Sequence, residues 1–98
     1  MITYIYAIKD LNADYFMQPM FFRTDAEAKR AFEIGCKNPD SFLFQFPNQF
    51  DLYRLSSYDD STGKIVNESI KWLCNGNDFA RKDENASASV LINIGCIK

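Results

Sequence analysis

The chain has 98 residues, 47% of them hydrophobic and 15% aromatic, with a formal net charge of -2. That length makes one domain, near the size at which a single core leaves only a few kcal/mol of net stability, and it excludes a second. The weakly acidic balance excludes a duplex-DNA binder that works mainly through phosphate charge, and the absence of His removes the commonest general base and metal ligand.

Ile2 to Ile8 alternates Ile2, Tyr4, Tyr6 and Ile8 with Thr3, Ile5 and Ala7. Both faces are apolar, which predicts a central strand covered on both sides. Asp10 to Asp14 is turn-rich, and Tyr15 to Arg23 reads as a second aromatic strand in which Pro19 removes a ladder donor, implying an edge or a bulge. Thr24-Asp25-Ala26-Glu27 fits a capping box and starts a helix. Ala28, Ala31, Phe32, Gly35 and Cys36 then recur at helical spacing, with Lys29, Arg30, Glu33 and Lys37 on the wet side. Gly35 implies close packing or an early frayed end, and Asn38-Pro39 ends the helix, Asn by taking the left-handed conformation. Phe42, Phe44 and Phe46 alternate before Pro47-Asn48, which fits a short strand or a ring-anchored loop, with the loop preferred.

Residues 50 to 73 read as a hairpin. Asp59 and Asp60 can accept the backbone N–H bonds that start a turn, and Gly63 can take the positive φ that closes it. Val66, Ile70, Trp72 and Cys74 are expected in register on the return strand. The fold class that results is α+β, an antiparallel sheet in ββαββ order with one helix packed on a face. A core domain over 1–75 is followed by a polar linker over 76–89 and an added C-terminal strand over 90–98. In that strand Val90, Ile92, Ile94 and Cys96 make one apolar face with almost no charge, expected to serve as an oligomer interface.

Chemical motifs are few. Cys36, Cys74 and Cys96 are odd in number and lack a C-x-x-C pair, so neither a disulfide framework nor a zinc site is indicated, and reduced, buried thiols are expected. Aligning Gly63 with the invariant glycine of a calcium loop puts Tyr58 and Ser69 at the key carboxylate positions, so that match fails. Gly63-Lys64 lacks the rest of a phosphate loop. No metal, no cofactor and no enzymatic activity are expected. Without a basic leader or an apolar run of about 20 residues, no membrane partner is expected either, and the expected location is the cytoplasm of the cell that makes the protein.

Two groups of side chains remain. Arg23, Lys29 and Arg30 cluster near the helix start, with Lys37 two turns on. Tyr4, Tyr6, Tyr53, Tyr58 and Trp72 fall on strands, where exposed rings could stack on splayed bases. The sequence-based nucleic-acid site is therefore Arg23, Lys29, Arg30, Lys37, Tyr53 and Trp72.

The hairpin block Phe50 to Ile65 carries a family resemblance, together with Tyr6-Ala7-Ile8-Lys9-Asp10, Ala28-Lys29-Arg30-Ala31-Phe32 and Asn38-Pro39. Over roughly residues 1 to 75 the chain resembles the small nonstructural protein of gokushovirus-type microviruses, which are single-stranded DNA phages. It departs from that family's Leu-Tyr-x-Ile-Gly-x-Phe-Asp pattern, carrying Leu55, Ser56 and Tyr58 instead. The resemblance implies a nonstructural protein acting in viral genome replication or packaging, in the host cytoplasm, by binding single-stranded DNA or a phage or host replication protein. Self-association is expected as well. The rival reading is an interaction adaptor that binds a host or phage protein through a sheet edge or aromatic patch, without nucleic acid, and the acidic balance favours it.

Overall fold

The computed structural model describes residues 1–79. Along them run β1 (Ile2–Asp10), β2 (Tyr15–Phe16), β3 (Met20–Phe22), α1 (Asp25–Cys36), α2 (Phe42–Gln45), β4 (Phe50–Asp59) and β5 (Lys64–Asn75), with a 3-10 turn at Pro47–Gln49. Every pairing is antiparallel, in the order β2-β1-β4-β5, with β3 adding to β1 farther along the same strand. The chain is thus α+β with an antiparallel sheet, but it differs from the simple ββαββ succession in two places.

The first is at Pro19. The expected strand over Tyr15 to Arg23 splits into β2 and β3: the Met17 N–H still donates to the Ile8 carbonyl at 2.8 Å, but Pro19 has no N–H to continue the ladder. The second is at Phe42, where a loop was preferred. Here the Ser41 hydroxyl accepts from the Leu43 N–H at 3.1 Å and caps one helical turn. Leu43 gains burial by that turn, because it comes to rest where a Cβ on Gly35 would lie 2.9 Å from its Cδ1. The close packing expected at Gly35 is therefore against α2.

Local chemistry explains the remaining boundaries. The Thr24 hydroxyl accepts from the Glu27 N–H at 3.1 Å, and the Glu27 carboxylate accepts from the Arg23 N–H at 3.0 Å, so the capping pair encloses one residue more than the expected box. Asn38 ends α1 without the left-handed conformation, since among described non-glycine residues only Asp14 has positive φ, at 60°. Instead the Asn38 side chain accepts from the Asp40 N–H at 3.0 Å. In the β4–β5 turn the Gly63 N–H donates to the Asp59 carbonyl at 2.7 Å, the Asp59 carboxylate accepts from the Ser61 N–H at 3.0 Å, and Gly63 has φ 75°.

Side chains opposite one another across an antiparallel pair share a face, and neighbours along a strand alternate. Tyr6, Ile8, Leu52, Phe50 and Cys74 thus point to one side, where they meet Ala28, Phe32 and Cys36 of α1 and Leu43 of α2. Phe79 closes this core with its ring 6.1 Å from that of Phe32, so residues 77–79, expected as linker, belong to the packed unit. The expected strand over 90–98, with Val90, Ile92, Ile94 and Cys96, lies outside the described residues.

The return strand departs from its expected register. Leu52 faces Cys74 but Tyr53 faces Trp72, and Arg54 faces Lys71 but Ser56 faces Asn67. These extra residues in β5 are bulges that break the alternation. Val66, Ile70, Trp72 and Cys74 therefore do not share one face, and of the four only Cys74 is buried.

Two glycines separate backbone strain from steric overlap. A Cβ on Gly63 would meet nothing within 4 Å, so Gly63→Ala costs only the left-handed backbone, about 1 kcal/mol. A Cβ on buried Gly76 would overlap the Pro47 carbonyl, with the Pro47 Cα 2.9 Å away. Gly76→Ala is expected to be the worse substitution, at about 1–3 kcal/mol or more, because backbone rather than a flexible side chain is in the way. Thermal melting checks this: about 4–8 °C lost for Gly63→Ala, and clearly more for Gly76→Ala.

Candidate functional site

The start of α1 is joined to the sheet by a polar cluster. The Tyr6 hydroxyl donates to Asp25 Oδ1 at 2.7 Å, Arg54 Nη1 donates to the same oxygen at 3.2 Å, and Lys71 Nζ lies 3.6 Å from Oδ2. The Arg54 guanidinium also stands 4.7 Å from the centre of the Tyr4 ring and 3.9 Å from the Glu68 carboxylate. Tyr6 and Arg54 come together because they are cross-strand partners on the helix side of the sheet, and Asp25, the first helical residue, suits the positive end of the helix dipole. Every charge in this cluster has a partner. Tyr6 is fully buried, so it is not one of the exposed rings expected on the strands.

Among the described residues, no helix lies on the opposite face of the sheet. Ala7, Tyr53 and Trp72 are in register across β1, β4 and β5, as are Thr3, Tyr58 and Ile65. Phe16 faces Lys9 and Phe21 faces Ile5 on the other side of β1. The ring pairs are edge-on, with Phe16 and Tyr53 centroids 5.5 Å apart and Phe21 and Tyr58 centroids 6.0 Å apart. These rings cover Ile5 and Ala7, which are buried, while Trp72 is 52% exposed, Phe21 56% and Phe16 38%. Lys9 lies 5.5 Å from the Phe16 ring centre and 3.4 Å from Asp14, a cation on the ring surface itself. Asp51, on the same face, is nearly buried and accepts from the Asn75 side chain at 2.7 Å.

This geometry divides the six residues expected as one nucleic-acid site. Tyr53 and Trp72 are adjacent on the open face. Lys29 and Arg30 are exposed on α1 and Lys37 follows its end, beside Glu33 at 2.9 Å; Arg23 is exposed just before the helix. Because α1 packs on the other side of the sheet, the helical cations and the ring row do not form one surface. The sequence reading missed Phe16, Phe21 and Lys9, and the signal was present: Lys9 continues the Thr3, Ile5, Ala7 alternation, away from Tyr6. Among the described residues no group of three or more His, Cys, Asp or Glu could hold a metal ion, and no helix is long and apolar enough to cross a membrane.

The cluster sets the pH response. Partial burial acts to raise the Asp25 pKa, but the Tyr6 hydrogen bond and the charges of Arg54 and Lys71 outweigh it and hold it below 3.8. Asp25 therefore stabilises the fold above that value, and its contribution is lost as pH falls through the lowered pKa. Burial pushes the Cys36 thiol up to about 11 and the Cys74 thiol to about 12, and burial with the Asp25 bond raises Tyr6 well above 10. Those groups stay neutral in the fold while the unfolded chain ionises, so stability is expected to fall as pH rises above 9. Urea titrations from acid to alkaline pH check both limbs. Tyr6→Phe is expected to lose about 1–2 kcal/mol at neutral pH and to move the acid limb upward; an unmoved acid limb would show that the hydroxyl does not hold Asp25.

Comparison with curated proteins and with solved structures gives no match. Residues 3–79 match the model of a family described as Phage ORF5 protein. That span runs from Thr3, the second residue of β1, to Phe79, the last ring in the core, and it takes in both faces of the sheet. The match over most of the length places this chain in the Phage ORF5 protein family.

Proposed function

We propose that this phage protein is a nonstructural protein of the microvirus type that binds single-stranded DNA on the open face of its sheet during genome replication or packaging. One observation carries the reading: Phe16, Tyr53 and Trp72 follow one another across the face opposite α1, with Lys9 beside them. Ring platforms on sheets bind splayed bases with little sequence preference, and each stacked base contributes about 1–3 kcal/mol. The resemblance to the microvirus protein supports the same reading. The surface differs from the sequence-based site, since the binding residues become Phe16, Tyr53, Trp72 and Lys9, and Arg23, Lys29, Arg30 and Lys37 lie elsewhere. No catalytic step is part of it.

A second reading is an adaptor that binds a phage or host replication protein through the same rings. The net charge of -2 favours it, because few phosphate contacts are on offer.

Trp72 is the only tryptophan, so its fluorescence reports directly on the proposed surface. Titration with a thymidine oligonucleotide is expected to quench it, with a shallow salt slope of about 1 because among the described residues only Lys9 stands among the rings. Tyr53→Ala is expected to weaken binding by about 1–3 kcal/mol, and replacing Arg23, Lys29 and Arg30 together by Ala is expected to leave it unchanged. No quenching at low salt favours the adaptor. Loss of binding in the triple variant, with Tyr53→Ala unaffected, would return the site to the helix.

A further inference from the structure

β5 is the last strand of the sheet, and among the described residues nothing pairs with its outer edge. From Lys64 to Trp72 every residue is exposed, including Ile65, Val66, Ile70 and Trp72, each more than half exposed. A strand edge with unpaired N–H and C=O groups is a template for another strand unless charge, Pro or a bulge blocks it, and the bulge here, between Asn67 and Lys71, puts Glu68 and Lys71 on the same face. This edge has no Pro, and its charges, Lys64, Glu68 and Lys71, are of both signs.

We infer that the occupant of this edge is the same edge of a second copy, in an antiparallel pair centred between Ser69 and Ile70. That centre puts Glu68 opposite Lys71 of the second copy, and two-fold symmetry repeats the pair. Both side chains stand on the helix side of the sheet, where within one copy Glu68 lies 3.9 Å from Arg54 and Lys71 3.6 Å from Asp25, so a pair across the seam adds to contacts each charge already makes. In the same register Trp72 faces Asn67 of the second copy. The parity agrees, because Trp72 pairs with Tyr53 and Asn67 with Ser56 on the open face. Charge complementarity selects this register over its neighbours, since opposite charges across strands stabilise and like charges destabilise. The ring rows of the two copies then join through Trp72 into one surface. The pairing does not depend on DNA binding and is tested without it.

Light scattering on the full chain is expected to give a dimer of twice the 11.3 kDa chain mass. Glu68→Lys alone, or Lys71→Glu alone, places like charges opposite twice and is expected to raise the dimer dissociation constant about tenfold or more. The double reversal restores the opposite pairing and is expected to restore the dimer, a result that loss of folding could not produce. In hydrogen exchange of the unaltered chain, protection of amides between residues 66 and 72 is expected to rise with protein concentration. A monomer at all concentrations overturns the inference, as does a dimer indifferent to the single reversals. Edge amides protected equally in the monomer and in the dimer also overturn it, because the edge would then be covered without a second copy.

Discussion

The rest of the structure depends on the pairing of β1 with β4. These strands are separated by both helices, yet they align from Ile2 opposite Asp59 to Asp10 opposite Phe50, with one shift between Ile5 and Tyr6 where Leu55 is the extra residue. Pairing of this kind closes a long loop before any local contact rewards it. Once made, it determines the direction of every side chain in the sheet. The shift lets Tyr6 stand beside Arg54, and so brings phenol and guanidinium together at the first turn of α1. A slip of β4 by one residue would turn Leu52 away from Tyr6 and into water, and Tyr53 toward the core.

From that register comes a molecule with two unlike faces. On the helix side the core is made of Tyr6, Phe32, Phe50 and Leu52, with the small residues Ala28, Cys36 and Gly35 letting α1 and α2 approach closely. On the other side the rings lie against the backbone of the sheet and shield Ile5 and Ala7, so they stabilise the fold by burial while leaving their outer surfaces open. One set of side chains serves packing and presents a surface. That economy suits a chain of this size, whose described residues offer no second layer to cover the sheet.

The far end of the sheet is held by polar groups. The Asn75 side chain donates to Asp51 at 2.7 Å and reaches the carbonyls of Asn48 and Phe50, each at 3.3 Å, while the Gly76 N–H donates to the Phe50 carbonyl at 3.0 Å. β5 is thereby pinned where it buries Cys74, and among the described residues nothing covers it from Lys64 to Trp72. Bulges take up the extra residues between these two regimes.

Local chemistry alone determined the start of α1 at Thr24, the interruption at Pro19, the turn closed by Gly63 and the α+β class, because caps, missing donors and positive φ act over a few residues and leave their signature in them. The two sides of β1 were legible too, from simple alternation. Tertiary structure decided the rest. Which side of β1 receives the helix, and so whether Tyr6 is buried or Tyr53 lies with Phe16, depends on a register with β4 that no short segment encodes. The bulges in β5 undid an alternation that looked continuous, and Leu43 became helical because Gly35 offered it a place to pack. Arg23, Lys29 and Arg30 looked like neighbours of the rings because proximity along the chain carries no information about which face of a sheet a helix covers. Only the packing of apolar area against apolar area settles that, and it acts between residues far apart in sequence.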